Sequence, residues 1–223
     1  MRMVLVLILF YVLVFTNTSD AQVVKRVEEA TEVLNEIMAI PEKGIPPALL
    51  RDAEGIAIIP RVIKVGFVIG GRHGKGIMVV KNDKGEWSYP FFISFTGGSI
   101  GWQIGAQSTD IILVFRTKRS VDGIIRGKFT LGADASIAAG PVGRHAEAGT
   151  DIELKAEILS YSRSRGIFAG VSLEGSTLQM DYDSNEEFYR RSGISLTEII
   201  NRKTGVLPEP ARVFLNTLKK YIK

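Results

Sequence analysis

Residues 67–79 read FVIGGRHGKGIMV, and this stretch decides between two kinds of protein. A glycine-rich run ending in Gly74-Lys75 is the first requirement of a phosphate cradle, which would imply a nucleotide-binding α/β fold. The same glycines between two apolar runs also suit a tight turn between antiparallel strands. A Walker-type loop requires Gly five residues before the Gly-Lys pair, Ser or Thr after it, and then a helix. Here position 69 is Ile, position 76 is Gly, and GIMVV continues as a strand. No helix N-terminus is left to face a phosphate, and a dinucleotide fingerprint fails on the same missing helix. The stretch therefore reads as two strands joined by a hairpin turn, with left-handed backbone at one or two of the glycines.

The pattern repeats outward from there. Between Gly55 and Asp183 short apolar runs (GIAIIP, KVGFVIGG, GKGIMVVK, WSYPFFISF, IGWQIGA, DIILVFR) alternate with breaks rich in Gly, Asn or Asp. This spacing predicts antiparallel strands in a meander. Asn82–Gly85 and Thr96–Ser99 are turn signals, and residues 120–127, SVDGIIRG, suit a short helix. In IELKAEILS, Ile152, Leu154, Ala156 and Ile158 alternate with Glu153, Lys155 and Glu157, which predicts a strand with one buried face. LGADASIAAGPVG carries small residues on both faces, so a second backbone, in a tight sheet corner, or a ligand must come close to it.

Helices flank this region. Over residues 22–40, Val23, Val27, Ala30, Leu34 and Ile37 recur at helical steps and form one apolar stripe opposite a charged face. PEKGIPP ends that helix, and ALLRDAE suits a short one after it. SLTEIINRK and PEPARVFLNTLKKYIK return to helical spacing, the second with Phe214, Leu218 and Tyr221 in a stripe expected to pack on the core. The expected fold class is α+β, with compact antiparallel sheets, meander or sandwich-like, between N- and C-terminal helices. The expected organisation is a leader at 1–21, a helical segment at 22–54, a β-rich core at 55–185 and terminal helices at 186–223.

The leader rests on Arg2, the apolar run VLVLILFYVLVF at 4–15, and a small-x-small exit at Ser19 and Ala21. These are the parts of a secretory signal peptide cleaved before Gln22. The run is shorter than the roughly 20 residues of a membrane span, and an uncleaved N-terminal anchor is the competing reading. Cysteine is absent, which removes disulfides, thiolate metal sites, a thiol nucleophile and a lipid anchor on an N-terminal Cys. His73 and His145 stand apart, without a partner at metal-ligand spacing. There is no G-x-S-x-G elbow. We expect no enzyme, no metal and no cofactor.

The charge is uneven. Residues 55–130 carry eleven Lys or Arg against four Asp or Glu, whereas residues 131–223 carry twelve of each sign. A basic first half suggests an anionic partner such as lipid headgroups, nucleic acid or an acidic polymer. An ordinary solvated face is the alternative. Trp87 and Trp102 read as core or edge residues, or as membrane-interface residues if exposed beside Arg72 or Lys75.

Six blocks carry a family resemblance: AEGIAIIP, GFVIGGRHGKG, GEWSYPFF with its W-S-x-P core, IGWQIGAQ, LGADASIAAGPVGR and SYSRSRGIFAGVSLEG. In this order, over roughly residues 50–185, they resemble the SYLF lipid-binding domain family. The resemblance implies a compact α+β domain that binds lipid headgroups without catalysis, phosphoinositides in eukaryotic members and actin in yeast ones. The resemblance and the export signal together imply a protein peripheral to a membrane, in a bacterial periplasm or cell envelope. There it would meet an anionic phospholipid such as phosphatidylglycerol or cardiolipin, or lipopolysaccharide, rather than nucleic acid. Its protein partner is unspecified. The residues expected to carry lipid binding are Arg61 and Lys64, on the strand leading into the 67–79 stretch, and Arg72 and Lys75, at the hairpin tip. The alternatives are an envelope structural or protein-interaction module, and a hydrolase with an unrecognised site.

Overall fold

In the computed structural model, residues 2–39, 44–101, 107–142, 155–164, 167–168 and 173–222 are described. Residues 67–79 lie inside one strand. β1 runs from Gly55 to Val80, 26 residues. At roughly 3.3 Å per residue it would be about 85 Å long if straight, far more than a globular chain of this size, with a radius of gyration of roughly 17 Å, can hold. The strand must therefore bend. It bends at Arg61, whose φ of 49° is left-handed, and its pairing slips by a bulge between Ile59 and Val62. Asp110 on the facing strand holds the bend: its Oδ1 accepts the Arg61 backbone N–H at 2.9 Å.

Each half of β1 then takes its own partner. Residues 55–64 pair antiparallel with β3 (Gln107–Phe115), from Gly55 opposite Phe115 to Lys64 opposite Gln107. Residues 68–78 pair antiparallel with β2 (Phe91–Gly101), from Val68 opposite Gly101 to Met78 opposite Phe91. The remaining described strands are β4 (Phe129–Thr130), β5 (Ile137–Ala139), β6 (Ile158–Ser164), β7 (Ile167–Phe168) and β8 (Thr177–Met180). The eight form one sheet in the order β4-β8-β2-β1-β3-β6-β5, with β7 on β6. β5 and β6 are a parallel pair; the other pairings between strands are antiparallel.

Two expected turns are corrected here. GGRH and TGGS are not turns but facing segments of β1 and β2, with Gly70 opposite Ser99, Gly71 opposite Gly98, Arg72 opposite Gly97 and His73 opposite Thr96. None of the described glycines in these segments has a positive φ. Their lack of a side chain is what the fold uses. A Cβ at Gly76 would collide with the carbonyl oxygen of Ile58, and one at Gly74 would lie 2.8 Å from the side chains of Ile59 and Val62. The two halves of β1 cross backbone to backbone, and only glycine admits that approach.

The other expectations fare unevenly. Asn82–Gly85 is a turn: Asn82 Oδ1 accepts the N–H groups of Lys84 and Glu86, and Gly85 has φ 75°. In LGADASIAAGPVG the neighbour that an added Cβ would meet at Gly140 is a side chain, the Tyr161 ring, and not the second backbone or ligand expected there. Residues 155–157 are not strand, and β6 begins only at Ile158; the rest of the expected alternation, 152–154, lies outside the described residues.

Among the described residues the helices are α1 (Arg2–Met38), α2 (Pro47–Asp52), α3 (Lys118–Ile125), α4 (Tyr182–Tyr189), α5 (Leu196–Ile200) and α6 (Glu209–Tyr221). α1 is unbroken through the apolar run at 4–15 and the helix expected over 22–40. Its stripe, Val23, Val27, Ala30, Leu34 and Ile37, is buried, and the helix packs against β1, α4 and α6. α6 buries Ala211, Phe214 and Leu218, and Tyr221 donates its hydroxyl to Asn35 Oδ1 of α1 at 2.9 Å. One contiguous core cluster runs from Val23 to Leu218.

The crossing in β1 makes a prediction. Gly76→Ala should destabilise the protein by about 1–3 kcal/mol or more, because an overpacked methyl meets backbone that cannot rotate away. Gly71→Ala, where nothing lies within 4 Å of the added methyl, should change stability by no more than about 0.5 kcal/mol. Urea unfolding of the two variants is the check; equal effects would contradict the crossing.

Candidate functional site

The bend at Arg61 leaves a hollow between residues 22–29 of α1 and β1. It is an open groove of about 700 Å³, lined by Gln22, Lys25, Arg26 and Glu29 of α1, by Pro60, Arg61, Ile63, His73, Gly74 and Lys75 of β1, and by Ser108. Four cations and a histidine share it with one carboxylate. Ile63 stands at the groove with half its surface (51%) in solvent. The helical spacing of Val23 and Val27 turns their side chains into the core and leaves Lys25, Arg26 and Glu29 facing the groove.

Two anchored carboxylates organise the cations, and each serves two of them. Glu29 pairs with Arg61 and, at 3.9 Å, with Lys25 one helical turn back. Asp181 lies 2.9 Å from Lys75 Nζ and 3.5 Å from Arg26. Asp181 is also the N-cap of α4, where its Oδ1 accepts the Ser184 N–H at 3.2 Å. Burial pushes the Asp181 carboxyl up, but hydrogen bonds from Lys75 and Ser184 outweigh it and hold the group below its usual range. Arg26 is desolvated, which lowers its pKa against the opposing pull of Asp181, Glu187 and Glu29. It also donates to Ser184 Oγ at 3.0 Å and lies 5.4 Å above the Phe92 ring. Arg26 is thus a fixed strut between α1, β2 and α4, whereas Arg61 and Lys75 keep 60% and 46% of their side-chain surface in solvent.

Of the four residues expected to bind lipid, the structure brings Arg61 and Lys75 to this groove. It does not bring Lys64 or Arg72 there: Lys64 lies opposite Gln107 at the far end of the β1–β3 ladder, and Arg72 lies opposite Gly97 within the β1–β2 ladder. Partial burial lowers the pKa of Arg72. Lys75 is not at a hairpin tip but mid-strand, because the expected turn does not form. Lys25 and Arg26 went unnoticed in the sequence, although an adjacent basic pair at the start of an amphipathic helix was the available signal. His73 lies in the groove; His145 and Trp102 fall outside the described residues. Trp87 is not beside Arg72 or Lys75: Lys81 sits 5.5 Å above its ring, and its carbonyl accepts from Arg202 Nε at 2.7 Å. Among the described residues no group of three His, Asp or Glu side chains is arranged to hold a metal ion.

A sequence profile described as "Ysc84: Las17-binding protein actin regulator" matches residues 96–221. An SH3 domain-containing protein of Schizosaccharomyces pombe is 44% identical over 67% of this chain and 35% of its own length. Human SH3 domain-containing YSC84-like protein 1 is 35% identical over 78% of this chain and 52% of its own. LAS seventeen-binding protein 3 of Saccharomyces cerevisiae is 39% identical over 76% and 37%. The chain thus spans between about a third and about half the length of these relatives, whose names are those of SH3-containing and binding proteins.

The lowered Asp181 pKa makes a prediction about acid stability. A carboxyl whose folded pKa lies below its unfolded value of about 3.9 contributes stability above that value, and loses it as pH falls through the folded pKa. Asp181→Asn should therefore flatten the fall in stability below about pH 4. Asn can still cap α4. Urea midpoints at a series of acidic pH values are the check, and an unchanged slope would contradict it.

Proposed function

We propose that this chain, which belongs to the Ysc84 (SYLF) family, binds anionic lipid at a membrane surface through the α1–β1 groove, without catalysis. The observation that carries the reading is the pairing of chemistries at the groove: an exposed aliphatic side chain, Ile63, among Lys25, Arg26, Arg61, His73 and Lys75. Cations near an anionic surface contribute about 1 kcal/mol each, and an apolar side chain beside them adds what it buries in the headgroup region. A nucleic acid would gain from the charges but not from Ile63, so phospholipid is the better fit. The lipid class we propose is a bilayer phospholipid of net negative charge, with phosphoinositide as the eukaryotic counterpart.

Export from the cell, with cleavage before Gln22, belongs to the same proposal and suits a bacterial periplasm or envelope. Such cleavage leaves the buried α1 stripe intact, since it starts at Val23, and keeps Lys25 and Arg26 on the groove. A second reading, docking of a protein partner, is favoured by the family's description as Las17-binding. In that reading the same groove receives an acidic segment of the partner.

The test is vesicle co-sedimentation of the Arg61→Ala and Lys75→Ala double variant. On phosphatidylglycerol-containing vesicles at low salt it should lose roughly tenfold to thirtyfold in affinity, at about 1 kcal/mol per charge, while still melting cooperatively as a folded protein. The Lys64→Ala and Arg72→Ala double variant removes the same charge away from the groove and should lose less. Equal losses would reduce the groove to part of a diffuse basic surface.

A further inference from the structure

The groove's cations are already partnered, and the way they are partnered is asymmetric. The two carboxylates are anchored: the side chains of Glu29 and Asp181 keep only 17% and 11% of their surface in solvent, and Asp181 is tied into the α4 cap. Of the two cations on Asp181, Arg26 is held by the fold and Lys75 reaches in from solvent. Both cations on Glu29 are exposed, Lys25 with 65% and Arg61 with 60% of the side chain in solvent, but Lys25 shares the helix of Glu29 and stays beside it. Asp181 keeps Arg26, which is pinned by Ser184 and Phe92, if Lys75 leaves. Glu29 keeps Lys25, its neighbour on the same helix, if Arg61 leaves. Departure of Arg61 and Lys75 therefore leaves neither carboxylate without a counter-charge. The carboxylates cannot follow, because Glu29 sits on α1, which is held by its buried apolar stripe, and Asp181 is held by the α4 cap.

We propose that Glu29 and Asp181 are internal competitors for Arg61 and Lys75, and that they set the density of negative charge a surface must present before it captures the groove. The inference rests on the anionic-surface reading above and adds a threshold to it. A sparse monoanionic surface offers each cation no more than its own carboxylate does. A dense one offers several phosphates at once, so both cations swing outward together. The anchored carboxylates are then specificity-determining residues, although neither touches the lipid. Removing either should strengthen binding, the reverse of what loss of a ligand contact would do.

The experiment titrates phosphatidylcholine vesicles carrying increasing mole fractions of phosphatidylglycerol against the full chain and against Glu29→Gln, Asp181→Asn and both together. Gln keeps helix propensity at position 29 and Asn keeps the cap at 181; melting temperatures confirm folding, and Glu29→Gln carries the test if Asp181→Asn unfolds. Glu209→Gln removes the same charge from α6, where Glu209 pairs with Arg212 and lines no part of the groove. Each competitor variant should bind about two- to fivefold more tightly at fixed composition, the worth of one exposed ion pair, with half-binding at a lower phosphatidylglycerol fraction, and Glu209→Gln should follow the unaltered protein. Gain in the variants when the unaltered chain does not bind would support the competitors as well. Unaltered binding with no gain in the variants, or an equal gain in Glu209→Gln, would overturn the competitors and leave the lipid reading standing. No binding by any of the proteins would overturn both.

Discussion

The bend in β1 is the constraint on which the rest of this structure depends. A 26-residue strand cannot stay straight in a domain this small, and the left-handed Arg61, its N–H bonded to Asp110, turns it back across itself. The crossing brings Ile58 onto Gly76, so that glycine is required by contact between backbones, and Gly74 by the side chains of Ile59 and Val62. Each half of β1 then recruits its own partner strand, which places the strand at the centre of the sheet. The same Asp110 accepts from Arg163 of β6 at 3.4 Å, and Arg163 in turn pairs with Glu36 of α1. The bend is thereby tied to the helix that covers it.

The proposed function and the fold meet at one residue. A left-handed conformation at a non-glycine residue is uncommon and costs energy that neighbouring contacts must offset. The Arg61 backbone is fixed by Asp110, while its guanidinium, paired with Glu29, leaves 60% of the side chain in solvent. The strand geometry that closes the fold also delivers a cation to the rim of the groove, two residues from the exposed Ile63.

Much of the fold was legible in the sequence. The stripes of α1 and α6 announced their buried faces because helical periodicity is redundant over several turns. The Asn82–Gly85 turn was legible because Asn side-chain capping and a glycine with positive φ leave a local signature. The glycines of GGRHGKG and TGGS were misread because glycine serves two purposes that look alike in sequence: it permits positive φ, and it lacks a Cβ. Only the position of Ile58, some 18 residues earlier in the chain, shows which purpose applies at Gly76. The basic character of the groove was legible as a charge imbalance. Its membership was not, because Lys25 and Arg26 arrive from a helix whose exposed face reads as acidic, and because Asp181 is more than a hundred residues from Lys75.

The central claim is that the face around Ile63 meets the membrane, and the absence of cysteine allows it to be tested at a single position. An environment-sensitive thiol fluorophore placed by Ile63→Cys should shift to the blue on phosphatidylglycerol vesicles and stay unchanged on phosphatidylcholine ones. The same probe at Val213→Cys, an exposed position on α6, should report water in both cases. A shift at position 213 with none at position 63 would contradict the account, because it would move the membrane-facing surface to the C-terminal helix.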